Sequence, residues 1–468
     1  MVANNNHLRF REKLGYGLGD TASNFFFQTF NIFLLYYYTD VFGLSAAAVG
    51  TMFFVTKLWD AINDPLMGII ADRTQTRFGK FRPYLLWVAV PYGILGFLMF
   101  ANPDLSDSGK LVYAWVTYTL MMMIYTAINV PYSALMGVMT PSSQERTVLS
   151  SYRFVCAFGG GLLISMLVRP LIQFFGEGDE AKGFSLTMAL FAVFSIALFW
   201  YTFSTTRERV ITPAHQKSNL KNDLKFLVSN RPWLVLFFAA IFTLANVAVK
   251  NAVTVHFFKY YVGDDGTSIF LFMDQTTLFL TAGMLAMILG VACTRLFTRY
   301  FEKKTLMIWL SLLNAATMVI IFFIPPDQYW TMMAVNIVGM FLVGPTPALV
   351  WSMYADVADY GEWKFGRRTT GLVFSAAQFA QKFGLTIGGG LSGWLLGAFG
   401  FVANTDQTES SLFGIRLMFT IIPACLAAMN ALVILLYNLS DGKVGQIETE
   451  LERRRQQDVG AQPVPVAE

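Results

Sequence analysis

The feature that most constrains this chain is the regular recurrence of apolar stretches long enough to cross about 30 Å of hydrocarbon as helices. They fall at roughly 14–38, 45–71, 83–101, 110–139, 148–175, 184–205, 233–261, 268–294, 305–324, 329–357, 369–399 and 412–438. In lipid every backbone N–H and C=O must be paired within the chain, and a series of spans this long can do so only as helices. Composition agrees: 14% of the 468 residues are charged and 55% are hydrophobic, against about 25% charged in a soluble domain. The mean hydropathy is +0.50. Cys156, Cys293 and Cys425 all sit inside apolar stretches, and His7, His215 and His256 form no ligand pair, so neither a disulfide frame nor a metal cluster is expected. A net charge of +4 offers little to nucleic acid. The expectation is an all-α membrane protein with the bilayer as its solvent, not an enzyme, and without a cofactor.

The loops set the orientation. One alternate set is rich in Arg and Lys, including Arg9, Arg11, Lys13, Arg73, Arg77, Lys80, Arg146, Arg295, Lys303, Lys364 and Arg368; the other set is nearly bare. By the positive-inside rule the basic set is cytoplasmic, which puts both termini inside and requires an even number of spans. Twelve spans satisfy it. The N-terminus lacks a short apolar core followed by small residues, so no cleaved signal peptide is expected. A polar, basic loop divides the spans six and six. Arg73 and Arg146 recur as Arg295 and Arg368, each 222 positions later and each at an equivalent loop. That is the trace of a duplicated six-helix unit. The expected organisation is a cytoplasmic N-terminus (1–13), a six-helix bundle (14–206), a central cytoplasmic loop (207–232), a second, pseudo-symmetric bundle (233–439) and a cytoplasmic tail (440–468).

Charges inside spans need a reason, because each costs about 2.5–3.5 kcal/mol at mid-membrane. Asp60 and Asp64 are four apart, hence on one face of the second span. Two carboxylates so close repel unless a cation or a proton lies between them. Asn63 and Thr126 could add neutral oxygens, completing a site for a hard cation. The competing reading is a structural ion pair with Lys57 or Lys382. Further interior groups are Asp20, Arg153, Lys250 and Lys382, with Asn24, Tyr125, Asn129, Tyr132, Trp351 and Gln378. Amides, carboxylates and guanidinium groups bond hydroxyls while an aromatic ring covers an apolar face, the mixture that binds sugars. Arg73, Arg77, Lys80, Arg146, Asp356, Asp359, Glu362 and Arg368 stand at cytoplasmic helix ends. They either only fix topology or form a latch between the halves when the cavity faces outward. The runs Gly159–Gly161 and Gly388–Gly390 fit close helix approach. No nucleophile–base or metal set is apparent.

Several segments together resemble the glycoside–pentoside–hexuronide:cation symporters of the major facilitator superfamily. They are Gly15-Tyr-Gly-Leu-Gly-Asp20, Tyr37-Tyr-Thr-Asp40, Trp59-Asp-Ala-Ile-Asn-Asp-Pro65, Arg77-Phe-Gly-Lys-Phe-Arg-Pro83, Asn129-Val-Pro-Tyr132, Ser204-Thr-Thr-Arg-Glu-Arg209 and Asp356-Val-Ala-Asp-Tyr-Gly-Glu362. The resemblance implies a twelve-helix fold with alternating access and sugar uptake driven by Na⁺, H⁺ or Li⁺. It implies a cation site at Asp60, Asn63, Asp64 and Thr126, and a sugar site that keeps Arg153 and Lys382. It departs from the melibiose carriers where their first-helix acid becomes Asn24, their fourth-helix acid becomes Asn129 and their stacking Trp becomes Ser133. The less acidic cavity looks more like that of the pentoside and hexuronide carriers, and loss of the fourth-helix acid favours protons over Na⁺. The expectation is therefore a symporter, monomeric, in a bacterial cytoplasmic membrane, with Na⁺ or H⁺ as coupling ion and a sugar or glycoside as partner. Rivals are a lipid or drug carrier and a membrane sugar sensor.

Overall fold

The computed structural model describes residues 8–140, 142–209, 227–366 and 370–460. Among these the chain is helical throughout, apart from two isolated bridges that close tight turns at Thr76–Gly79 and Phe270–Met273. The helices are α1 (Phe10–Tyr36), α2 (Ala46–Arg73), α3 (Arg82–Trp87), α4 (Ala89–Leu98), α5 (Asp107–Met139), α6 (Ser143–Gly176) and α7 (Glu180–Thr205) in the first half. The second half holds α8 (Arg231–His256), α9 (Gln275–Thr298), α10 (Lys303–Phe323), α11 (Tyr329–Val343), α12 (Thr346–Phe365), α13 (Thr370–Ala398), α14 (Glu409–Phe419) and α15 (Ile421–Leu435). A polar helix, α16 (Asp441–Gly460), follows.

Among the described residues, eight helical segments are long and apolar enough to cross a membrane on length and composition alone. Helices also stand at the four other expected places, 10–36, 46–73, 82–98 and 370–398. Starts are set by side-chain caps: Ser45, Ser106, Asp179, Asn230, Asp274 and Thr408 each accept a hydrogen bond from a backbone N–H in the first turn of the helix that follows. Three expected spans are interrupted: at Val88 between α3 and α4, at Gly344–Pro345 between α11 and α12, and at Thr420 between α14 and α15. At the second of these, a Cβ on Gly344 would lie 2.4 Å from the Met287 carbonyl, so α9 and the break touch backbone to backbone. The repeat is visible locally as well. The first helix of each half ends in a π-helical turn, Tyr37–Val41 after α1 and Phe257–Val262 after α8.

Packing between the halves is uneven along their length. One continuous core runs through the first half and on into Val249–Phe258, Phe279, Ile321–Met333 and Ile415–Phe419 of the second. The other end of the second half, including Trp233, Leu306, Met353, Tyr354 and Val373, has a separate core of its own. The halves are thus fused at the end carrying the π turns. There α2 and α13 meet at glycines: a Cβ on Gly393 would sit 2.4 Å from the Ala46 carbonyl and 2.5 Å from Gly50.

Candidate functional site

A cavity of about 590 Å³ lies between the halves, lined by α1, α2, α5 and α6 on one side and α8, α12 and α13 on the other. That volume lies within the usual range for small-molecule sites. Of the residues expected at a cation or sugar site it gathers Asp20, Asp60, Asp64, Tyr125, Thr126, Asn129, Arg153, Trp351, Gln378 and Lys382.

Asp60 and Asp64 project together from α2, and Thr126 on α5 bridges them, its hydroxyl 2.6 Å from Asp60 Oδ1 and 2.9 Å from Asp64 Oδ1. Lys382 reaches over from α13. Its ammonium donates to Asp60 Oδ2 at 3.1 Å and also bonds Asp64 Oδ2. The competing ion-pair reading is therefore realised in this conformation: Lys382, expected among the sugar ligands, sits where a cation would balance the two carboxylates. Also lining the cavity, Arg153 Nε donates to Asp20 Oδ2 at 3.0 Å. The Arg153 guanidinium also lies 5.4 Å from the centre of the Tyr132 ring.

Four expected ligands do not line the cavity. Asn63, three residues after Asp60, is not among the residues that line the cavity. Asn24 points back along α1, donating to the Asp20 carbonyl at 2.9 Å. Tyr132 is buried against Tyr16, stacked at 4.8 Å, with its hydroxyl donating to the Tyr16 carbonyl at 2.6 Å. Lys250 is embedded in the second half, bonded to Asn336 Oδ1 at 3.3 Å and 5.5 Å from the Phe419 ring. Conversely Asn31, Lys57, Gln381 and Thr386 line the cavity without having been expected as ligands. Lys57 could have been found, because it precedes Asp60 by three and shares its helix face.

Several residues of the expected cytoplasmic latch have contacts within their own half. Asp356 is held by Lys303 of its own half, and Arg77 and Lys80 lie over the neighbouring Phe78 and Phe81 rings at 4.6 Å and 5.1 Å. Arg73 closes the last turn of α2, Arg146 stands in the first turn of α6, and Asp359 and Glu362 follow Asp356 along α12. Arg368 lies outside the described residues.

Cross-half bonds gather at the opposite end instead. Arg169 Nε bonds Asp274 at 2.6 Å and its Nη2 approaches Asp264 at 3.4 Å, both carboxylates being almost fully buried. Asp40, in the π turn after α1, accepts from Lys259 Nζ at 3.0 Å and from the Tyr260 hydroxyl, and lies 3.3 Å from His256 Nε2. Asn404 closes the cluster by donating to the Asp40 carbonyl at 2.6 Å. Burial opposes the Asp40 charge, but His256, Lys259 and Tyr260 outweigh it and hold the carboxyl down to about 2. The Tyr-Tyr-Thr-Asp segment thus clamps this end.

A family model described as "MFS/sugar transport protein" matches residues 15–441. Among curated relatives, "Putative glycoside/cation symporter YagG" of Escherichia coli K12 is 39% identical over 96% of each chain. The "Isoprimeverose transporter" of Lactiplantibacillus pentosus is 34% identical over 98% of this chain and 94% of its own. Among solved structures, that of a D-xylose-proton symporter superposes with a TM-score of 0.65 at 15% identity, covering 91% of this chain and 97% of that one, which speaks for the fold. The fold is the all-helical one of the major facilitators, and the chain belongs to the MFS/sugar transport family of multi-pass membrane symporters, not to an enzyme family.

Proposed function

We propose that this protein takes up a sugar glycoside, pentoside or hexuronide together with Na⁺ or H⁺ by alternating access, working as a monomer in the bacterial inner membrane. Two six-helix bundles, 14–206 and 233–439, move against each other. The loop 207–232, the N-terminus (1–13) and the tail (440–468) lie in the cytoplasm, as the basic loops imply. On that orientation the fused, ion-paired end faces outward, and the cavity is the inward-facing state of the cycle.

The observation that carries this reading is the meeting of Asp60, Asp64 and Thr126 of one half with Lys382 of the other inside the cavity. Two carboxylates of one half balanced by an ammonium of the other make a contact that a cation can replace. An arriving Na⁺ or proton competes with Lys382 for the pair and frees its ammonium toward the sugar. Cation and sugar then raise each other's affinity by the same factor, as linkage requires. Asp20, Tyr125, Asn129, Arg153, Trp351 and Gln378 supply hydroxyl partners and ring faces for the sugar. Asn63, Asn24, Tyr132 and Lys250 act at most through residues that do line the cavity. Arg73, Arg77, Lys80, Arg146, Asp356, Asp359, Glu362 and Arg368 form a latch between the halves when the cavity faces outward.

The test is uptake of labelled glycosides into vesicles under an imposed Na⁺ or H⁺ gradient. Accumulation that collapses with the gradient is expected from the native protein and not from Asp60→Asn or Asp64→Asn. Unchanged accumulation in both variants would remove the coupling assignment. A lipid or drug carrier is disfavoured by six charged side chains on the cavity wall.

A further inference from the structure

The cavity is electrically balanced before any ion or sugar enters. Asp20, Asp60 and Asp64 are matched in number by Lys57, Arg153 and Lys382. Two of the bases have carboxylate partners: Arg153 bonds Asp20, and Lys382 bonds both Asp60 and Asp64. Lys57 does not. Among the described residues its ammonium has one hydrogen-bond partner, the Leu385 carbonyl across the cavity at 3.5 Å, which is the long limit for such a bond. Gly389 leaves the ammonium room, since a Cβ there would lie 3.4 Å from Nζ. Lys57 therefore stands three residues before Asp60, facing the other half, with donors to spare.

A coupling cation adds one positive charge to this balanced compartment. If the added cation takes the Asp60–Asp64 pair, two ammonium groups, those of Lys382 and Lys57, are left without a carboxylate of their own. A net charge inside the membrane is costly unless something in the cavity answers it. A neutral sugar cannot do so; a sugar carrying one carboxylate can, and Lys57 is the group placed to receive it. We infer that Lys57 is the anion-receiving, specificity-determining residue of this site, and that the substrate is a monoanionic sugar moved with one monovalent cation in an electrically neutral step. This inference rests on the symport reading and narrows it. Both the empty and the fully loaded carrier then cross with a neutral cavity, whereas the carrier holding the cation alone does not, which suppresses leak of the cation.

The experiment uses the purified full chain in liposomes, with methyl β-glucuronide, methyl β-xyloside and methyl β-glucoside as probes. Na⁺ or H⁺ gradients are imposed with and without a potassium diffusion potential of ~100 mV, inside negative. Methyl β-glucuronide is expected to accumulate with the cation gradient and to change less than twofold when the potential is added. Lys57→Gln is expected to lower its uptake at least tenfold while Lys57→Arg retains it, and cation-dependent thermal stabilisation of both variants checks that they are folded. Coupled accumulation of a neutral glycoside alone, rising toward ~50-fold with that potential, would overturn the inference and leave symport standing. So would an unchanged glucuronide KM in a folded Lys57→Gln. If no probe responds to either cation gradient, the symport reading itself fails and the inference falls with it.

Discussion

Replacing Lys382 by Met keeps the length of the side chain and removes its ammonium. In the native protein that ammonium donates to Asp60 at 3.1 Å and bonds Asp64 as well. Each hydrogen bond between charged groups contributes about 1.5–3 kcal/mol net. Lys382 is about one third exposed to the cavity, so the lower figure applies to each and the pair together contributes about 3 kcal/mol. Two consequences follow with opposite signs. Without a coupling cation the variant loses roughly that much stability, because two carboxylates on one helix face are left unbalanced; full burial would cost about 3–5 kcal/mol. With the cation present, the tethered competitor is gone, and the apparent affinity for the coupling ion rises by about two orders of magnitude, at 1.4 kcal/mol per tenfold. Thermal unfolding of the detergent-solubilised protein over a series of cation concentrations reads both quantities. The expected pattern is a lower Tm at zero cation, a larger rise on saturation, and a half-saturation point near one hundredth of the native value. Sugar-dependent stabilisation should fall at the same time, since the freed ammonium no longer reaches the sugar. A variant that binds the cation as weakly as the native protein, with unchanged Tm, would refute the view that Lys382 and the cation compete for one place.

Other perturbations address neighbouring parts of the same argument. Thr126→Val removes a hydroxyl shared by both carboxylates, and half-maximal cation concentration for uptake should rise about tenfold. Arg169→Gln strands Asp264 and Asp274, whose side chains are only 2% and 1% exposed; a cysteine placed at Asn31 should then react faster with an impermeant maleimide added from outside. Gly393→Val drives a side chain into the Ala46 and Gly50 backbone of the other half, so uptake should drop more than tenfold in protein that is still inserted. The Asp40 carboxyl is held at about 2 against an ordinary 3.8. Its contribution to the closed outer end is therefore complete above about pH 4 and fades as pH falls through 2, so Asn31 cysteine labelling should not change between pH 5 and 8 on its account.

Helix periodicity and loop charge made much of this legible. Apolar runs located the helices, and the four-residue step from Asp60 to Asp64 put both carboxylates on one face, where they are found. Arg153 and Asp20, half a bundle apart in sequence, were both recognised as charges without a reason to be in lipid, and they pair. What stayed hidden is direction. An interior charge on a helix faces either the cavity or the packed interior of its own half, and the sequence around Lys250 does not distinguish them; its partner Asn336 is 86 residues away. Asn63 is a different case, since a motif set it beside Asp60 and Asp64 while it does not line the cavity with them. The breaks at Val88 and Thr420 each precede a proline by three residues, Pro91 and Pro423, which has no N–H for the carbonyl of Trp87 or Phe419 and whose ring crowds it, so these interruptions were written in the sequence although each apolar run reads as one span.

The latch residues show a further limit, and it is conformational. Loop composition bears on which helix ends face the cytoplasm, which on the proposed orientation is the same in every state of the carrier. Which end is bonded across the halves belongs to one state only. In this state the bonded end is the one that carries the π turns, outward on the proposed orientation: the Asp40 cluster, Arg169 with its two carboxylates, and a core shared between halves all lie there. Opening that end to load sugar from outside breaks at least three buried ionic contacts and separates α2 from α13 at Gly50 and Gly393. Each such contact broken alone costs about 3–5 kcal/mol if its charges stay dry. The outward-open state is therefore reachable only if water reaches those charges as they part and new bonds form at the inner end. In the proposed cycle the acids Asp356, Asp359 and Glu362 on α12 and the basic ends of α2 and α6 form such bonds once the halves have moved. A carrier in which both ends were bonded equally well would not move. In the proposed cycle, an exchange of bonds between the two ends is what lets a small differential from cation and sugar binding decide which end opens.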